Sequence, residues 1–491
     1  MTATHQPGSV RSLIPARIDR LPWSPFHTRM VVALGTAWIL DGLEITIASN
    51  VGDKLTDSSR LGLSATAVGG LATAYLIGQV VGALVFGHIS DRLGRRRLFM
   101  ITLAIYFGGS ALTAFTIGSG GAAIAFIYLT RFIAGAGIGG EYAAINSAID
   151  ELIPASYRGR VDIAVNGTYW AGAAIAAVVQ VPLLSGALSP AIDWRVAFLL
   201  GPVLGLSILF LRRNLPESPR WQIMHGRGDE AEASISYIEQ EVEAGGKPLP
   251  PVDDRKAIEI TPTEETGYLA LLRVLFRTYP GRSTLGATLM ITQSFLYNAI
   301  FFTYATVLGT FFGVQDTALY YIPFAIGNFL GPLLLGPLFD SLGRKPMISG
   351  TYLLSGSLLV VSAFLFRAGA LTATTQTIAW CVIFFFASAG ASAAYLTVSE
   401  IFPMEVRAKA IAVFFAIAQG FGSIAPLFYG SLIDKNAPDP SKLFLGYIVG
   451  AVIMIVGGLV TLALGVKAEN QSLEDVATPL SVVRASGAAS P

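Results

Sequence analysis

Four ionisable residues fall well inside apolar stretches of this 491-residue chain: the acids Asp41, Glu44 and Glu141, and the base Arg131. Charge buried in an apolar span is costly and usually functional. Glu44 follows Arg29 by 15 residues, which is ~22 Å along a helix from one face of a ~30 Å apolar core. Arg131 follows Ala122 by 9 residues, ~13 Å from the opposite face. The two depths agree, so the side chains can meet. An acid that pairs with a base when ionised, and frees it when protonated, is a proton carrier. Glu44 is expected in that role with Arg131 as its partner. The alternative is a static buried ion pair, which by itself says little about stability. Asp41 lies one turn from Glu44 on the same helix face. It is expected to be a cavity ligand, a second proton site or a packing acid. Glu141 lies ten residues beyond Arg131 and reads as a structural acid near one end.

Placing these residues requires long apolar helices, and the composition supplies them. The chain is 53% hydrophobic and only 13% charged, with 33 Lys and Arg against 32 Asp and Glu. Soluble domains carry about 25% charge, so the expected surrounding is a lipid bilayer. The balanced charge excludes a nucleic-acid partner, which needs a basic face. One cysteine, Cys381, excludes an intrachain disulfide and a cysteine metal cluster. Four scattered histidines, at 5, 27, 88 and 225, argue against a metal site, and no cofactor is expected. No apolar run precedes residue 30, so no signal peptide is expected.

Twelve spans are expected, near 29–50, 67–89, 97–117, 122–150, 161–186, 194–213, 281–312, 317–338, 346–366, 374–401, 408–432 and 443–466. With the N-terminus inside, 26 of the 33 basic residues fall on the inner side and 6 on the outer. That asymmetry predicts cytoplasmic N- and C-termini. The domain reading follows: a cytoplasmic tail 1–28, a six-helix bundle 29–213, a linker 214–280, a second six-helix bundle 281–467 and a cytoplasmic tail 468–491. Within the linker, Asp229 to Ala244 reads as a charged helix ended by Gly245-Gly246. Glu264 to Phe276 is either an amphipathic surface helix or solvated chain.

The two bundles repeat one another. Gly87, Asp91, Gly94, Arg95 and Arg96 recur 249 residues later as Gly336, Asp340, Gly343, Arg344 and Lys345. Glu151, Pro154 and Arg158 recur as Glu400, Pro403 and Arg407 at the same offset. Two motifs sharing one offset define a duplicated six-helix unit in parallel orientation, an all-α membrane architecture used by transporters. Asp91, Arg95, Glu141, Glu151, Arg158, Asp340, Arg344, Glu400 and Arg407 are read as an inner gate. Within it, Glu151 would pair with Arg158, and Glu400 with Arg407. The bland alternative is that these bases only satisfy the positive-inside rule. The offset also makes Gln293 the repeat mate of Glu44. Gln293 and Asn298 are polar in an apolar helix and are expected to line the cavity, since amides offer donors and acceptors together.

The loop Gly87-His-Ile-Ser-Asp-Arg-Leu-Gly-Arg-Arg96 resembles the signature of the major facilitator superfamily. Arg131-Phe-Ile-Ala-Gly-Ala-Gly-Ile-Gly-Gly140, Pro216-Glu-Ser-Pro-Arg-Trp221 and Ser399-Glu-Ile-Phe-Pro403 resemble its sugar-porter branch. Ala468-Glu-Asn-Gln-Ser-Leu-Glu-Asp475 resembles a worn form of that branch's C-terminal motif. The resemblance spans nearly the whole chain and implies a major facilitator fold. It also implies that Glu44 and Arg131 match the acid and arginine that couple protons in bacterial sugar symporters. Asn166, Tyr395 and Gln419 lie near positions that touch sugar in those porters. Two features depart from the branch. Helix 7 reads Thr292-Gln-Ser-Phe-Leu-Tyr-Asn298, lacking the usual glutamine pair. Asp41-Gly-Leu-Glu44 and Gly140-Glu141-Tyr142 are more similar to metabolite and aromatic-acid proton symporters, or to the synaptic-vesicle-glycoprotein-like group.

The expectation is therefore a secondary active transporter, not an enzyme. It would move a small organic solute (a sugar, polyol or organic or aromatic acid) across the plasma membrane, the cell inner membrane in a bacterium, with a proton as coupling ion. It is expected to act as a monomer. A facilitator or antiporter of the same fold, or a non-transporting membrane sensor, are the alternatives. The interior sums to −2 when all four charges ionise, which disfavours a free dianion as substrate. Gly135-Ala-Gly-Ile-Gly-Gly140 superficially suggests dinucleotide binding, but it lies within an apolar span rather than after a strand.

Overall fold

Gly94 and Gly343 stand 249 residues apart, and each holds a left-handed backbone (φ 82° and 106°) just before a helix. Such angles favour glycine, which has no Cβ to clash. Each glycine turns the chain sharply between two helices. In both, a carboxylate from a distant segment meets the exposed helix end: Glu217 accepts from the Arg96 amide at 3.3 Å, and Glu469 from the Arg344 amide at 3.3 Å. Acids at a helix N-terminus satisfy free amides and the helix dipole. The repeat inferred from spacing is thus a repeat of backbone shape.

The chain is described from a computed structural model covering residues 10–63, 65–118, 120–183, 188–212, 216–260, 267–314, 317–433 and 437–480. A short strand β1 (Val10–Ser12) and helix α1 (Ile14–Asp19) lead into the first set of long helices. These are α2 (Pro25–Lys54), α3 (Ala65–Leu93), α4 (Arg95–Thr113), α5 (Gly121–Leu152), α6 (Ala155–Pro182) and α7 (Asp193–Arg212). The connecting segment holds α8 (Pro219–Met224), α9 (Gly228–Ala244), strand β2 (Ile258–Ile260) and α10 (Tyr268–Arg273). The second set is α11 (Pro280–Phe312), α12 (Ala318–Ser341), α13 (Arg344–Arg367), α14 (Ala373–Glu400), then α15 (Arg407–Gly422) and α16 (Ile424–Ser431), and α17 (Pro440–Leu464). A single turn, α18 (Leu473–Val476), follows.

Among the described residues, eight of these helices can cross a membrane by length and composition alone. A ninth, α11, is bent by 44° between Phe301 and Thr303. The span expected over 408–432 is interrupted at Ser423, which separates α15 from α16. The charged linker helix forms as α9, with Ala231, Ile235, Ile238 and Val242 buried on one face. Of the segment 264–276, residues 264–266 lie outside the described residues. The remainder is helical, with Leu271 and Leu275 buried and Leu269 and Phe276 exposed.

Glycine sets how closely the helices approach. A Cβ on Gly135 would lie 2.1 Å from the Tyr75 carbonyl, and one on Gly139 would lie 2.0 Å from that of Gln79. The glycine run of α5 therefore lets α5 lie backbone to backbone on α3, and that is its role rather than nucleotide binding. Between the two sets, α3 packs on α15, and α6 packs on α12 and α14.

Candidate functional site

The close approach of α3 and α5 delivers Arg131 to the centre of the first bundle, opposite Glu44 on α2. Arg131 Nη1 lies 2.9 Å from Glu44 Oε1, and the two side chains are 3% and 1% exposed. Ser110 of α4 donates to the same oxygen. The guanidinium lies between two rings, 4.6 Å from the Tyr75 centroid and 5.4 Å from Phe198, a cation–π setting that partly replaces water. Glu44 Oε2 accepts no hydrogen bond. It faces Gly201 of α7, where a Cβ would sit 3.2 Å away. The carboxylate is thus half satisfied: one oxygen holds two donors and the other holds none.

One turn away, Asp41 accepts from the Tyr142 hydroxyl through one oxygen, while the other accepts nothing. Trp38, Tyr142, Tyr395 and Phe415 form a continuous aromatic wall around it. Trp38 and Tyr142 stand 4.5 Å apart, Trp38 and Tyr395 5.9 Å, and Tyr142 and Phe415 4.7 Å. Trp38 Nε1 and the Tyr75 hydroxyl are buried there without partners. The wall joins the bundles, because Trp38 and Tyr142 belong to the first and Tyr395 and Phe415 to the second. Gln293 lies beside the Tyr395 hydroxyl. Gln419 accepts from Ser294 at 3.0 Å and donates to Gln79 at 2.6 Å, a second link between the bundles. Asn298 turns back on its own helix, donating to the Ser294 carbonyl at 2.9 Å. Asn166 donates to Asn146 at 3.2 Å, deeper along α5 and α6.

At the end where the basic residues gather, ion pairs cross between the bundles. Arg160 meets Asp340 at 3.1 Å, and Arg158 meets Glu400 at 3.8 Å. Arg344 holds Asp340 at 2.8 Å and Glu400 at 3.0 Å. Glu400 is therefore held by Arg344 and Arg158, not by Arg407 as its spacing predicted. Arg407 instead donates to the Phe402 carbonyl at 3.1 Å. The reason is geometric: Gly343 starts α13 beside the end of α14, so Arg344 reaches Glu400 directly. The flanking segments close over this cluster. Asp19 of α1 pairs with Arg158 at 3.5 Å and Arg220 at 3.4 Å, and Arg220 also meets Glu474 of α18 at 3.1 Å. Burial lowers the Arg220 pKa, but Glu474, Asp19 and Glu151 outweigh it and hold it above its ordinary value. Asp91 and Arg95 belong to this expected gate, but their side chains lie outside the described residues. Glu141 is buried, and its charge acts on Asp41 rather than at the basic end.

The sequence pattern of the family described as "Sugar (and other) transporter" matches residues 41–479. The chain belongs to that family. It is similar to the niacin transporter NiaP of Acinetobacter baylyi, at 24% identity over 463 residues, covering 94% of this chain and 99% of that protein. It is similar to the inner membrane metabolite transport protein YgcS of Escherichia coli, at 25% over 455 residues, covering 91% and 93%. It is also similar to the glucose facilitated diffusion protein of Zymomonas mobilis, at 24% over 492 residues, covering 91% and 96%. Among solved structures, the proton:xylose symporter XylE bound to 6-bromo-6-deoxy-D-glucose superposes with TM-score 0.74 at 20% identity, covering 91% of this chain and 98% of that one. Inward-open XylE from E. coli superposes with TM-score 0.64 at 20% identity, covering 92% and 98%. These superpositions establish the major facilitator fold, and the family is one of multi-pass membrane transporters, not of enzymes.

In this sugar-transporter-family fold, the residues that sequence reasoning missed are mostly partners of those it found. Ser110, Tyr75 and Tyr142 complete the acid sites, and Gln79 completes the amide link. Tyr142 stands beside Glu141 in the sequence, and its type was a usable signal. Ser110 and Gln79 carry none, because single polar residues are common in apolar helices. Arg160 and Asp19 fall outside the expected spans, and Asp150 and Asp162 fall at span ends, where a charge is unremarkable. His88 packs against Tyr268, with ring centroids 5.8 Å apart and the rings tilted by 32°.

Proposed function

We propose that the chain is a proton-coupled symporter of a small ring-bearing organic solute, working by alternating access. The half-satisfied Glu44 carboxylate carries the reading. Its pairing with Arg131 fixes the ionised state, and its free oxygen offers a proton a place to land. The basic end faces the cytoplasm, in accord with the positive-inside pattern, and the transporter sits in the plasma membrane, the cell inner membrane in a bacterium. A proton entering from the opposite side neutralises Glu44 and releases Arg131. Solute then binds between the bundles, against the Trp38–Tyr142–Tyr395 wall and the amides of Gln293 and Gln419. Closure on the outer side is matched by parting of the Arg158–Glu400 and Arg160–Asp340 pairs. Solute and proton leave to the cytoplasm, and the Glu44–Arg131 pair re-forms.

The aromatic wall supports an aromatic monocarboxylate or its amide ahead of a sugar. Flat rings stack on such faces, and Arg131, once freed, is the one nearby cation for a carboxylate among the described residues. The name of the Acinetobacter relative, a niacin transporter, points the same way. The test is uptake into proteoliposomes under an imposed pH gradient, with a panel of pyridine carboxylates, benzoates, sugars and polyols. Accumulation of a ring acid that follows the proton gradient is expected. Equilibration of every solute, with no response to pH of either polarity, would leave a facilitator.

A further inference from the structure

The segment that leads into α11 carries exposed apolar and exposed basic side chains that the cycle above leaves unused. Helix α10 (Tyr268–Arg273) continues directly as a π-helical turn (Val274–Thr278), and Pro280 then opens α11. The sides of this short helix differ. Leu271 and Leu275 are buried against the body of the protein. Leu269, Leu272 and Phe276 are 83%, 38% and 54% exposed, and their spacing of three and four places them on one flank. Arg273 and Arg277 are exposed too. Each follows an apolar residue of that flank by one position, so the two arginines occupy the next flank round. Among the described residues neither arginine meets a carboxylate. A protein side, an apolar flank and a basic flank are what a helix lying in the plane of a bilayer surface requires.

The neighbours of α10 fix its level. The Tyr268 hydroxyl donates to the Leu84 carbonyl of α3, and its ring packs against His88. Leu84 lies five residues before Ile89, where the apolar span of α3 ends, so it is ~8 Å inside that span. Ile77, Val81 and Val85 form an exposed stripe along α3. On a helix that crosses the membrane, such a stripe faces lipid tails. Arg282, just inside α11, donates to the Ile401 carbonyl at the end of α14 at 2.6 Å. Helix α10 is therefore level with the ends of α3 and α14 at the basic end. It also joins the bundles, since it leads into α11, packs on α15 and is bonded to α3.

We propose that residues 268–278 are a binding site for anionic phospholipid of the inner leaflet, set across the seam between α3 and α15. Leu269, Leu272 and Phe276 enter the acyl region, where apolar surface leaves water. Arg273 and Arg277 take the headgroup phosphate, which a guanidinium can grip through two N–H groups at once. A lipid is the occupant because Leu269 follows Tyr268 and Val85 follows Leu84, so the apolar flank starts beside the lipid-facing stripe of α3. The phosphates bordering that stripe carry the charge that the two arginines lack. The assignment to the inner leaflet rests on the orientation proposed above, but the site does not depend on proton coupling.

The test uses the full chain in nanodiscs, which leave both faces open to solvent. It carries Cys381→Ser and Leu269→Cys, with a fluorophore on the new cysteine. Phospholipid with a nitroxide near the top of its acyl chain is compared, as a quencher, with iodide in the water. Stronger quenching by the nitroxide is expected. Stronger quenching by iodide places the flank in water, and quenching by neither places it under protein, a second copy included. Either result overturns the lipid seat. Headgroup preference is read by placing the nitroxide on phosphatidylglycerol or on phosphatidylcholine in otherwise equal membranes. Phosphatidylglycerol should quench at a lower fraction, by about five-fold for each arginine that contacts it. Arg273→Gln/Arg277→Gln should bring the two lipids level while the flank stays in the acyl region. Both side chains are exposed, so the fold should not need them. Equal quenching by the two lipids before substitution, or a preference that survives it, overturns the anionic site. Neither outcome bears on Glu44, whose test is proton-driven uptake, so the two readings fail separately.

Discussion

The centre of the first bundle and the basic end both bury opposite charges, yet they are built differently. At the centre, one acid meets one base, assisted by one hydroxyl and two aromatic rings. Every member there is single, so changing one charge changes the whole site. At the basic end the charges are shared: Glu400 touches two arginines, Arg344 two acids, and Asp19 two arginines. Removing one partner leaves others to take its place. The first arrangement suits a switch thrown by one proton. The second suits a latch that must hold and release as a unit, because the acids that Arg344 holds in the second bundle are the ones that Arg158 and Arg160 of the first reach across to.

The sharpest way to break this contrast is at the centre. Arg131→Met leaves Glu44 buried without a counter-ion. Breaking a buried pair from one side costs about 3–5 kcal/mol, and thermal unfolding in detergent should show a loss of that order together with loss of accumulation. Glu44→Gln keeps an acceptor for Arg131, so the fold should survive. Proton-driven accumulation should vanish while solute exchange persists, read as counterflow in proteoliposomes. Normal gradient-driven uptake by Glu44→Gln would end the single-switch account.

At the basic end the effects should be smaller and graded. Arg158→Ala removes the pair that joins α6 to Glu400 of the other bundle and should open this end most, measured as faster alkylation of cysteines placed beneath it. Arg344→Ala should open it less, since its pairs with Asp340 and Glu400 lie within the second bundle and only hold those acids in place for Arg160 and Arg158. Equal effects of the two substitutions would mean that the pair between bundles carries no special load. Between the two regions lies the aromatic wall. Tyr142→Phe removes the hydroxyl that donates to Asp41, a loss of about 1–3 kcal/mol, and should weaken solute binding by roughly ten-fold to a hundred-fold. Unaltered half-saturation in uptake would separate Asp41 from the solute site.

How much of this was legible depends on what the sequence records. The Glu44–Arg131 pair was, because depth in an apolar helix follows from counting residues. The repeat was too, because Gly94 and Gly343 must be glycine for backbone reasons and so keep their spacing. The partner of Glu400 was not. Spacing ties it to Arg407, while the turn at Gly343 brings in Arg344 from another helix. Asn298 was read as a cavity ligand from polarity alone, yet it spends its amide on the Ser294 carbonyl, a local bond that polarity cannot distinguish from an outward one. The burial of Asp150 and Asp162 was not legible either, because it comes from the facing bundle and, at Asp150, from Arg220 of α8, which no helical period announces.

The smallest effect expected tests whether redundancy or exposure sets the tolerance of this end. Arg29 on α2 pairs with Glu241 on α9, but their side chains are 67% and 31% exposed. Water already solvates both groups, and exposed pairs contribute about 0–1 kcal/mol. Arg29→Ala should therefore leave unfolding temperature and uptake unchanged. Arg17, only 17% exposed and bound to both Glu232 and Glu239 of the same helix, tethers α1, and with it Asp19, to the linker. Arg17→Ala should loosen that tether and raise proteolysis within residues 10–24, still without abolishing transport. If Arg29→Ala proved the more damaging of the two, the hold of the N-terminal segment would lie in the entry of α2 rather than in Asp19, and the latch would have to be redrawn without α1.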